Sequence, residues 1–146
     1  PANASERAIV RQIMKMAELY FELPSRRLIP YAFTGTEAPE SVKAEVRQVL
    51  ARGITGLNRL CQFSPWVAGE QFTMADIYLY YVNTIVSAFG SSQLNWDVLA
   101  EVAGMKPWND SMSQSAIAQK VEADRQANMP EFMQKVTAQI QAANAV

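Results

Sequence analysis

The stretch GEQFTMADIYLYY, residues 69–81, decides how this chain folds. It sets one threonine and one aspartate, Thr73 and Asp76, into an almost continuous apolar run. An ionisable group there is either a catalytic or ligand group, or it serves the fold. With Thr73 as the helix N-cap, Met74, Ala75 and Asp76 become the first three helical residues. The Thr73 hydroxyl then accepts from the Asp76 backbone N–H, and the Asp76 carboxylate accepts from the Thr73 N–H. That is a capping box with Asp in place of the commoner Glu. Phe72 before the cap and Ile77 four positions after it match a hydrophobic staple. Asp76 also lies at the positive end of the helix dipole. Phe72, Thr73, Asp76 and Ile77 are therefore expected to be structural, and no substrate is needed to explain the carboxylate.

Outward from this cap the periodicity is helical throughout. No segment alternates apolar and polar residues for long, and no Asn-Gly or Asp-Gly hairpin turn occurs. The helix that starts at Thr73 is apolar nearly all round, which predicts burial inside a bundle. Before it, a first helix is expected over 5–22, with Ile9, Ile13, Met16, Ala17 and Tyr20 on one face, widened by Val10, Met14 and Phe21. Pro24 is expected to stop it, and the segment held between Pro24 and Pro30 reads as a short irregular or one-turn link. A second helix is expected over 39–61, with Pro39 in its first turn. Its stripe runs Val42, Val46, Val49, Leu50, Gly53, Leu57, Leu60, Cys61. Gly53 and Gly56 each cost about 1 kcal/mol of helix propensity relative to alanine, and close approach by a neighbouring helix is the compensating gain.

After the buried helix, a fourth is expected over 96–103, capped by Asn95, stapled by Leu94 and Leu99 and stopped by Gly104. Pro107 opens a fifth carrying Trp108 and Met112. A helix over 116–126 follows, with Ile117 and Val121 inward. Pro130 opens a last amphipathic helix on Phe132, Met133, Val136 and Ile140. The whole reads as an all-α bundle of about six to seven helices: one helical domain over 1–146, with 130–146 a peripheral helix and fraying tail.

Composition limits the chemistry. The 146 residues suit one domain, and a hydrophobic share of 49% supports a full core. Net charge is −1, with no basic run interleaved with aromatics, so neither nucleic acid nor a membrane is an expected partner. The chain has no histidine, which removes the commonest general base and metal ligand. Its single cysteine, Cys61, excludes an internal disulfide and any multi-cysteine zinc site; no metal is expected, and a reducing, cytoplasmic setting fits. The longest apolar run, 74–89, is shorter than the ~20 residues of a membrane span. The first residue is Pro1, with no signal peptide behind it, so a chain processed or cut from something longer is expected.

The segment FSPWVAGEQFTMADIYLYYV resembles the helix-six signature of the cytosolic glutathione S-transferases: an apolar-Gly turn, an aromatic, Thr-x-x-Asp, then a buried helix. ELYFELPSRRLIPYAFTG is similar to the exit of the first C-domain helix in bacterial members, and KPWNDSMSQSAIAQKVEADRQANMPEFM to their closing helices. The Arg-Pro step often found at the place of Gln114 is missing, which leaves the local helix boundary open. The resemblance spans nearly the whole chain and implies its C-terminal all-helical domain, without the N-terminal thioredoxin-like domain that binds glutathione and activates its thiol.

That resemblance carries further expectations. Glutathione is the co-substrate of the parent, and nothing in this chain is expected to bind it. No catalytic residue is expected here. The helical half supplies the wall for an apolar small-molecule electrophile, with Met14, Ala17, Tyr20, Phe89, Trp108 and Met112 as candidates and Phe21 added if the face is rotated. Ordinary core packing is the competing account of all of them. Tyr80, Asn83 and Ser87 form a polar strip, open to a ligand or to hydrogen bonds with neighbouring helices. Arg26 and Arg27 could attract an anion, pair with a partner subunit or simply be solvated. A homodimer through the first two helices is implied. Two alternatives stand beside the enzyme half: a non-catalytic protein–protein interaction module and a free-standing ligand-binding bundle.

Overall fold

The computed structural model describes residues 1–144, leaving aside the side chains of Ser91, Ile140, Gln141, Ala143 and Asn144. It is all-helical. Among the described residues no strand forms, and Trp66 and Gly69 make one isolated antiparallel bridge. The chain falls into two compact units, residues 1–109 and 110–146.

Helix α1 spans Ala4–Ala17, capped by Asn3, whose side chain accepts from Ser5 N–H at 2.8 Å. It does not stop at Pro24. A π turn, Glu18–Glu22, leads directly into a further α turn, Leu23–Arg26, with Pro24 in its first positions. Proline lacks an N–H and its ring clashes with the carbonyl four residues back. The wider π turn shifts the bonding register by one, so Leu23 N–H donates to Glu18, and the proline is absorbed without a break. The link expected between the two prolines is therefore mostly helical, ending with α2, Ile29–Thr34, and Gly35 in the left-handed region at φ 65°. The inward face of α1 is Val10, Ile13 and Ala17, continued by Phe21; Ile9, placed inward from the sequence, is exposed.

Helix α3 spans Glu40–Leu60, with Pro39 and Cys61 as its caps. Val46, Leu50, Gly53 and Leu57 are buried as the stripe requires. Lys43 is buried too. Its ammonium bonds Glu37 and Glu40 at 2.6 Å each, and those partners hold its pKa above the usual lysine value. The glycines serve close approach: a Cβ on Gly53 would stand 2.6 Å from Phe21 Cε2 and 2.8 Å from Tyr20 Cβ, and one on Gly56 would overlap the end of Met16.

Helix α4 spans Met74–Ile85, followed by a second π turn, Val86–Gly90, and a short turn, Ser91–Leu94. The helix expected over 96–103 is only a 3-10 turn, Val98–Glu101. Asn95 does not cap it. Asn95 sits at φ 49° and closes the preceding turn, while Asp97 accepts from Ala100 N–H at 3.3 Å. Asn58 of α3 then limits the turn, donating to the Glu101 carbonyl at 3.0 Å and accepting from Ala103 N–H at 2.9 Å. Those backbone groups are spent on a side chain and cannot extend a helix.

Helix α5, Met105–Ser113, carries the chain into the second unit, where α6 spans Ala116–Asn144. Pro130 lies inside α6 and does not open a new helix. Lys120–Asp124, Arg125–Glu122 and Lys135–Glu131 pairs at 2.6 Å run along it. Ile117 and Val121, expected inward, are exposed. Merging these last two segments, and reducing the 96–103 helix to one turn, leaves five helices of nine residues or more among the described residues, against the six to seven expected.

Candidate functional site

Two constructions in the first unit organise the region around α4. The first is the cap. The Asp76 side chain is fully buried, with Oδ2 accepting from Thr73 N–H at 2.8 Å and Oδ1 accepting from Val67 N–H at 2.8 Å. The capping box is complete. The Val67 bond adds a function beyond capping: Val67 also accepts from Gln62 N–H at 2.9 Å, so Asp76 pins the loop between α3 and α4. The Phe72 ring meets Trp66 edge-on at 4.9 Å between centroids. Cys61 lies beside this loop. Burial, with the Asp76 charge adding to it, pushes its thiol up to about 12, so it is a packed thiol rather than a nucleophile.

The second construction is a groove of about 320 Å³ between the helical turns at 18–26 that follow α1 and the outer side of α4. Met74, Ile77, Tyr81, Val82 and Ile85 give it an apolar wall, and Glu22, Arg26 and Tyr78 give it a polar end. Glu22 Oε1 accepts from Arg26 Nε at 2.9 Å and Nη2 at 2.7 Å, and Glu22 Oε2 accepts from the Tyr78 hydroxyl at 3.0 Å. Burial first, then the bond to Glu22, pushes Tyr78 up to about 12. Met74 is 57% exposed, and Ile77 and Tyr81 are each 37% exposed. So α4 buries Ala75, Asp76, Leu79, Val82 and Asn83 but leaves a second apolar face open.

The sequence-derived wall candidates are scattered. Met14 lines a neighbouring groove with Pro1, Arg7, Val10, Arg11 and Met74. Ala17 is fully buried, and Tyr20 is packed toward Gly53. Phe89 meets Phe33 edge-on at 6.1 Å. Trp108 is buried against Phe63 at 5.4 Å, its indole N–H without an acceptor. Met112 is half-buried in the second unit. In the polar strip, Asn83 is buried and donates to Asn109 at 3.1 Å, Tyr80 meets Tyr81 at 5.2 Å, and Ser87 is exposed. Arg27 pairs with Glu45 at 2.6 Å. Glu22, Tyr78 and the 74/77/81/85 face were not singled out from the sequence. The signal was there, in an i, i+4 Glu–Arg pair and a second apolar stripe at helical spacing.

Comparison with known proteins gives the family. The model of the glutathione S-transferase C-terminal domain matches residues 13–116. The chain belongs to the glutathione S-transferase family, as its C-terminal domain. A glutathione S-transferase of Pseudomonas putida is 35% identical over 136 residues, covering 93% of this chain and 62% of that protein. The chain thus spans less than two thirds of the curated relative it matches. Glutathione S-transferases pair a thioredoxin-like N-terminal domain with this helical one, use glutathione as co-substrate and commonly dimerise. Among the described residues no cluster of acidic or cysteine side chains is placed to hold a metal, and no helix is long and apolar enough to cross a membrane.

Proposed function

We propose that this chain is the electrophile-binding half of a glutathione S-transferase, active only together with a thioredoxin-like domain. One observation carries the reading: the open apolar face of α4, with Met74, Ile77 and Tyr81 unburied beside the groove. A helix that is apolar on two opposite faces is stable in water when both are covered. The thioredoxin-like domain lies on that face, and the groove then becomes the cleft between the domains, where ligand pockets are commonly found. The partner domain binds glutathione and activates its thiol. The thiolate attacks the electrophilic carbon and displaces a leaving group or adds across a double bond. This half orients the electrophile and excludes water; it supplies no acid, base or nucleophile. The parent acts in the cytoplasm as a homodimer.

The same open face supports a second reading, a non-catalytic module that docks another protein. The test joins this chain to the thioredoxin-like domain of a family member and assays glutathione conjugation to an aryl halide, with Ile77→Asp as control. Expected are a folded, compact two-domain protein and conjugation, both lost in the variant. Compact docking without conjugation selects the interaction module. Two domains that tumble independently and do not conjugate refute the enzyme half.

A further inference from the structure

We draw no further inference here: the strongest candidate, the exposed apolar patch of Ile117 and Val121 on the first turns of α6, carries nothing because nothing in the structure shows what covers it.

Discussion

Replacing Asp76 by alanine separates a structural carboxylate from a functional one. The substitution strips acceptors from two backbone donors, Val67 N–H and Thr73 N–H, both at 2.8 Å. Val67 is fully buried and water cannot replace the lost partner. An orphaned buried donor costs about 1–3 kcal/mol, toward the upper end when the lost partner was charged. Thr73 is half-buried, so its share is close to an ordinary cap, about 1 kcal/mol. The expected destabilisation is therefore about 3–4 kcal/mol, a large fraction of a typical domain's 5–15 kcal/mol. Asp76→Asn keeps one acceptor and places an NH₂ against the other donor, so it should fall at about half that loss. The assay is urea unfolding followed by far-ultraviolet circular dichroism, reading the midpoint at constant slope. A functional carboxylate behaves oppositely, since groups placed for a ligand are held against the preference of the fold. Asp76→Ala as stable as the parent, or within about 1 kcal/mol of it, would refute the structural assignment.

Two further predictions separate local effects. Gly53→Ala is expected to destabilise by about 1–2 kcal/mol net: the Cβ meets Tyr20 Cβ, which cannot move without its backbone, and the overpacking outweighs the propensity gained. Gly56→Ala meets only the flexible end of Met16 and should be neutral or slightly stabilising; urea midpoints for the pair reversed in order would contradict this packing. Tyr78 carries a folded pKa of about 12 against an ordinary value of 10. Its contribution is therefore complete below pH 10 and lost as pH rises through 12. Ultraviolet titration should show a late tyrosine step that disappears in Tyr78→Phe, and a late step that persists in that variant would refute the assignment.

The parts legible in the sequence were those whose chemistry is complete within a few residues. Thr73 and Asp76 are three apart, so the capping box could be drawn before any tertiary contact was known. Gly53 and Gly56 could be read as close-approach positions because only a neighbouring backbone or side chain compensates glycine in a helix. The prolines were read less well. A rule that Pro24 ends one helix and Pro130 opens another assumes strict α geometry, and the π turn at 18–22 relaxes that assumption at the first of them. The short turn at 98–101 was over-extended because the side chain that ends it, Asn58, lies more than forty residues earlier.

The groove depends on placement of the same kind. Glu22 and Tyr78 are 56 residues apart, and no local pattern brings them together. What was visible, a helix apolar all round, fits two different situations: a helix surrounded by its own bundle, or one with its bundle on one side and another body on the other. The two make the same demand on the sequence, since every face must be apolar. They differ only in which face the chain covers by itself. Here 75, 79, 82 and 86 are covered, and 74, 77 and 81 are not. The remaining face lies beside the Glu22–Arg26 pair, so the apolar surplus ends against an ion pair.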